Sequence, residues 1–150
     1  MIRRPPRSTL SSSSAASDVY KRQEEIKIKD EVAQAYKVYL RNFEAGDMKA
    51  IEASCSFPFR FDSDGEVKSF NQFPIDVTAM KETTGYHRSL NSDIEVIAVS
   101  ETKAHIILRK ALRVKQDGTP IESVSGFDIW IKVDGAWKMK FASAITLKQD

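Results

Sequence analysis

The run SDIEVIAVSETKAHIILRKALRVKQDGTPIESVSGFDIWIKVDGAWKMKFASAITL (92–147) decides the fold. Through most of it, side chains alternate with period two, the signature of extended strands with one face buried. Three polar breaks, Glu101-Thr102, Asp117-Gly118 and Asp134-Gly135, divide it into four long strands. Asp-Gly is a strong hairpin signal, because both central positions of the favoured two-residue turn need positive φ. The segment therefore reads as an antiparallel meander.

Treating each break as a two-residue turn fixes a register. Asp128 then opposes Phe141, Trp130 opposes Met139, Ile107 opposes Asp128 and His105 opposes Trp130. Opposed residues share a face. One face thus gathers Ile94, Val96, Ala98, His105, Ile107, Arg109, Asp128, Trp130, Met139, Phe141 and Ser143. The other gathers Ile97, Ile106, Leu108, Phe127, Ile129 and Ile131 with scattered charges. The first suits a concave side under helices; the second suits an outer face covered by a second copy of the chain. A bulge in any strand would exchange the two sets beyond it.

Upstream of the meander the period is 3.6. Ile28, Val32, Tyr36, Tyr39 and Phe43 mark one face of a helix over 24–44, ended at Ala45-Gly46. Asp47 caps a short second helix. Phe59 and Phe61 alternate in a short strand joined through Asp64-Gly65 to a partner at 66–70. A third helix is expected over 71–84, capped by Asn71 and closed by Gly85. Helices first and a meander last give an α+β fold: N-terminal helices on the concave face of a curved mixed or antiparallel sheet, in the order α-α-β-β-α-β-β-β-β.

The first 23 residues differ in kind. They hold five basic side chains and one acid, whereas the rest hold 18 basic and 20 acidic. The pI near 8.6 therefore belongs to this leader, and the body has no basic stripe for phosphates; a nucleic-acid partner is not expected. Rich in Ser, Pro and Arg, the leader is expected to be disordered. A transit-type peptide and a native tail are both compatible with its composition. Its two blocks, RRPPRSTL and SSSSAASDVYKRQ, resemble translated sequencing-adapter read-through, and on that resemblance the leader is not native. Residues 24–150 are then one domain. No apolar run is long enough for a membrane span, and the expected location is the cytoplasm. Cys55 is the single cysteine, and no cysteine zinc cluster or internal disulfide is possible.

The order of elements, with GFDIWIKVDGAWKMK (126–140) and the AGD of 45–47, resembles the nuclear-transport-factor-two-like superfamily, in its SnoaL-like polyketide-cyclase and ketosteroid-isomerase-like branches. The resemblance implies a cystatin-like α+β cone with a pocket. It spans about 24–147 as topology, and its motif-like parts are short. Many members carry histidines four and six residues after the hairpin tryptophan; here those positions are Phe141 and Ser143. No catalytic residue transfers from the family by motif.

From the residues themselves, Asp128 is the first candidate for a general base or ligand acceptor, since a carboxylate among Trp130, Phe141 and Ile107 would be desolvated. The competing reading is an Asp128–Arg109 ion pair that orders the pocket floor. His105 is a candidate proton shuttle and Tyr36 a candidate hydroxyl partner, each with a purely structural alternative. Phe59, Phe61, Ile107, Arg109, Trp130, Met139 and Phe141 are the expected ligand-contacting residues. Two histidines 18 residues apart give no metal spacing, and no cofactor fingerprint is present. Three functions stay open: a homodimeric binder of a small apolar molecule with one or two oxygens, an acid–base isomerase, cyclase or dehydratase, and a non-catalytic dimerisation module.

Overall fold

The structure, a computed structural model, describes residues 7–149. Helix α1 (Arg7–Ala45) is followed by α2 (Met48–Ala53), β1 (Cys55–Ser63), β2 (Glu66–Phe70), α3 (Val77–Thr84), β3 (Arg88–Leu90), β4 (Asp93–Val99), β5 (Lys103–Val114), β6 (Pro120–Val133) and β7 (Ala136–Lys148). The strands make one curved seven-stranded sheet in the order β2-β1-β7-β6-β5-β3, with β4 also on β5. It is mixed because β1 runs parallel to β7.

Helix α1 lies across the concave side. Ile28, Val32, Tyr36, Tyr39 and Phe43, the five residues of the sequence stripe, are all buried. Their rings interlock with Trp130 of β6 and with Phe73. Tyr36 and Tyr39 have centroids 5.5 and 6.1 Å from Trp130, and Tyr39 and Phe43 lie 6.1 and 6.4 Å from Phe73. Such edge and tilted pairs each add about 0.5–1.5 kcal/mol beyond the area they bury. Asp47 caps α2 by accepting from the Ala50 N–H at 3.1 Å.

Several expectations are corrected. Helix α1 runs from Arg7, through residues 7–23 as well as the expected 24–44, and residues 1–6 lie outside the described residues. Once the packed turns of α1 nucleate, each added residue gains one backbone bond. This extension is bare, however: residues 15–27 are exposed and Ile28 is the first buried side chain after them. Helix α3 starts at Val77, with Asp76 rather than Asn71 as its cap, accepting from the Ala79 N–H at 3.1 Å. Its C-terminal Gly85 holds φ +76° as expected.

The largest correction is in the register of the meander. Asp134-Gly135 forms the expected turn, both residues at positive φ, and Val133 pairs with Ala136. At Asp117-Gly118 the expected two-residue turn is not formed: Val114 pairs with Pro120 and the Lys115 N–H donates to the Thr119 carbonyl, and a shift between Arg113 and Val114 then restores the expected pairs Leu112–Ser123 and Ala111–Val124. Beyond them the register slips by one. Arg109 and Lys110 together oppose Ser125, whose Oγ accepts from the Lys110 N–H at 3.2 Å. This is a β-bulge, with Lys110 at φ +37°. It puts Ile106, not Ile107, opposite Asp128, and Ala104, not His105, opposite Trp130. A second slip between Ile129 and Trp130 leaves Trp130 on Met139 but puts Ala142, not Phe141, opposite Asp128.

Because the side-chain period is two, each slip exchanges faces. Asp128, Trp130 and Met139 face the core as expected. His105, Ile107, Arg109 and Phe141 do not, and they belong to the outer face.

Candidate functional site

A cavity opens between α1 and the concave sheet, with a volume of about 80 Å³. Its position follows from side-chain size. At the closed end the inward positions carry Trp130, Met139 and Ile106, all essentially fully buried. Toward the open end they carry Ala111, Gly126, Ala142 and Ala144, which line the cavity. Small residues on a curved sheet leave space that large residues elsewhere fill. Gly126 sits tight against β7, since a Cβ there would lie 3.3 Å from the Ser143 carbonyl oxygen. Aromatic rings from the other elements, including Tyr36, Tyr39, Phe43, Phe59 and Phe61, complete the wall.

Asp128 lies on this wall and is 5 % exposed. It is the buried charged side chain among the described residues. The Tyr36 hydroxyl donates to its Oδ2 at 2.5 Å. Burial pushes the Asp128 carboxyl up to about 7, against the opposing pull of the Tyr36 hydrogen bond. Burial, and then the nearby Asp128 charge, holds the Tyr36 hydroxyl well above its usual range, so it stays a donor at neutral pH. The pair can therefore present a carboxyl that exchanges its proton near neutrality, beside a neutral hydroxyl held in place by α1.

Of the residues expected at the site, the fold brings Asp128, Tyr36, Phe59 and Phe61 to the cavity and buries Trp130 and Met139 in the core beside it. Arg109 is exposed on the outer face and paired with Glu95, which removes the expected Asp128–Arg109 pair. His105 stacks edge-on against Phe127, centroids 5.5 Å apart. Ile107 lines an outer-face groove with Arg109 and Phe127. Phe141 pairs with Ile129 on that same face.

The arginine that does line the cavity is Arg113. It lies past the bulge, where odd-numbered residues of β5 point inward. Its guanidinium stacks over Phe43 and Tyr86, 5.3 and 5.7 Å from the ring centroids, and donates to Glu122 Oε1 at 2.8 Å. Two-residue alternation counted forward from Ala111 reaches it; the bulge at 109–110 carries no sequence signal of its own. Cys55 is buried, its thiol pushed up to about 12 by burial and bonded to the Ile51 carbonyl, which suits a packing role. Among the described residues, no three His, Cys, Asp or Glu side chains converge as metal ligands, and no helix is long and apolar enough to cross a membrane.

No protein-family model and no curated protein matches the chain. Solved structures do. A candidate dehydratase of the NTF2-like family from Streptomyces avermitilis superposes with a TM-score of 0.65 at 14% identity, covering 82% of this chain and 98% of that one. A candidate scytalone dehydratase from Novosphingobium aromaticivorans gives 0.62 at 17%, covering 83% and 89%. The association domain of CaMKII from C. elegans gives 0.59 at 13%, covering 81% and 97%. At such identities the likeness is one of backbone, and it agrees with the element order, the mixed sheet and the helix across its concave side: the chain has the cystatin-like fold of NTF2-like proteins.

Proposed function

We propose that the cone binds a small, largely apolar molecule carrying an oxygen that meets Asp128 and Tyr36. The observation that carries this reading is a carboxyl, buried beside an aromatic cavity, whose hydrogen-bond partner among the described residues is a tyrosine hydroxyl. A carboxyl kept in such surroundings costs stability, because desolvation opposes its charge. A purely structural core would not need it. The rings offer area, and the Asp128–Tyr36 pair offers one donor and one acceptor to orient a ligand.

A second reading is favoured by one specific feature. A carboxyl titrating near 7 is matched to proton transfer at neutral pH. With Tyr36 holding it, Asp128 could serve as general base in an isomerisation or dehydration, the reaction named for two of the structural neighbours. Asp128→Asn separates the readings. If binding alone is the function, ligand-induced thermal stabilisation survives within a few-fold in this variant. If proton transfer is the function, turnover falls by orders of magnitude while binding persists. Unchanged turnover in this variant would remove Asp128 as the base.

Homodimerisation through the outer sheet face is part of the same proposal. Ile145 and Leu147 are 73 % and 66 % exposed there, and one backbone neighbour is named an association domain. A dimer that forms with a cavity no library compound stabilises would favour the third reading, a module that only assembles.

A further inference from the structure

The cavity continues outward. A second space of about 380 Å³ lies over its mouth and shares Leu40, Phe43, Ser89 and Ser92 with it. Lys37 and Arg41, one helical turn apart on α1, line this outer space and are exposed. Among the described residues neither makes an ion pair, whereas the acids nearby are engaged. Glu44 Oε2 accepts from the Ser89 N–H at 3.1 Å, and Glu122 accepts from Arg113. Arg113 lines the inner cavity, and among the described residues one of its five N–H groups is hydrogen-bonded, to Glu122. Three cations against two engaged acids leave the mouth positive, while the inner end holds the Asp128–Tyr36 pair.

We infer that the ligand of this cone is an amphipathic acid, its oxygen-bearing apolar end inside and its carboxylate at the mouth between Lys37, Arg41 and Arg113. This rests on the small-molecule reading above and adds the ligand's class and polarity. The length follows from α1. Tyr36 marks the inner end and Phe43, under Arg113, the outer, seven residues and so about 10 Å apart along the helix. The inner space is smaller than the roughly 150 Å³ that holds a benzene ring. A ring would therefore sit across the junction of the two spaces, with its oxygen directed inward.

The test uses a rigid acid of that length, 4-hydroxycinnamate, and its neutral amide, 4-hydroxycinnamamide, titrated calorimetrically into the full chain. The acid is expected to bind about ten-fold tighter than the amide, the scale of one charge-assisted contact. That preference should shrink as salt is raised, and the exposed double variant Lys37→Gln/Arg41→Gln should abolish it with an unchanged melting temperature. Equal affinity for acid and amide would overturn the anionic mouth and leave the small-molecule reading standing. An acid preference untouched by the double variant would overturn the assignment to Lys37 and Arg41. If neither compound binds, the length and polarity assigned to the ligand are overturned, and thermal stabilisation by other apolar compounds decides the small-molecule reading separately.

Discussion

Asp128 is stable in the fold in its neutral form, and that makes its cost a function of pH. In an unfolded chain an aspartate titrates near 3.9; here it titrates near 7. Between those values the native state holds a proton that the unfolded state has lost. The contribution of Asp128 to stability is therefore greatest below about pH 4, falls as pH rises to 7, and levels off above, by about 4 kcal/mol in all. The groups around it do not blur the window. Burial raises Tyr36 and Tyr39 on α1 well above their usual range and Cys55 on β1 to about 12, so none of the three ionises in the native state below pH 8. Asp128→Asn should consequently melt higher than the parent at pH 8 and close to it at pH 4, measured by thermal unfolding across that range. A parent and variant with parallel pH profiles would show that Asp128 is ionised in the fold. Tyr36→Phe acts in the opposite sense on the same group. It removes the hydrogen bond that favours the carboxylate, so the Asp128 titration, followed by carboxyl carbon NMR, should move above 7.

The bulge in β5 is the element on which the site turns. Without it, alternation from Ala111 would carry Arg109, Ile107 and His105 inward. With it, Leu108, Ile106 and Ala104 are the inward set, and all three are buried. Lys110 absorbs the change at φ +37°, a conformation that a side chain disfavours and glycine does not. Lys110→Gly should therefore leave the fold intact and raise stability by roughly 0.5–1 kcal/mol, read from denaturant midpoints. A loss would mean that the lysine stem packs usefully where it lies. The same bulge marks the boundary of what could be read from the chain. The stripe Ile28–Phe43, the Asp134-Gly135 turn and the inward Asp128 and Trp130 were legible because each depends on local spacing. Arg109, Ile107 and His105 were misplaced because their faces depend on a register summed over a long strand, and one extra residue between polar, exposed Arg109 and Lys110 leaves no mark in the pattern. Phe141 failed for the same reason at the slip beside Met139. The inward arginine is Arg113, on the turn side of the bulge, and Arg109 lies beyond it.

At the scale of the whole molecule, the core and the surface divide the chain at different places. Residues 15–27 of α1 bury nothing, and the helix meets the sheet from Ile28 onward. Deleting residues 1–23 should therefore leave the melting temperature within a degree or two of the full chain; a large drop would make the leader part of the folding unit. The outer sheet face has the opposite character. Ile97, Ile145 and Leu147 are exposed on it, with Ile107, Phe127, Ile129 and Phe141 half-buried around them. Isolated exposed apolar residues are ordinary, but a contiguous set on one face of a sheet is an association surface or a liability. A two-fold pairing would bury this face on both partners at once, since a self-complementary patch needs no second surface. Ile145→Lys and Leu147→Lys would then set like charges against each other across the axis as well as remove apolar area. The double variant should sediment as a monomer at micromolar concentration where the parent sediments as a dimer, with Asp128 and the cavity undisturbed because both lie on the other side of the sheet. A parent that is monomeric under the same conditions would leave the outer face without the second copy proposed for it.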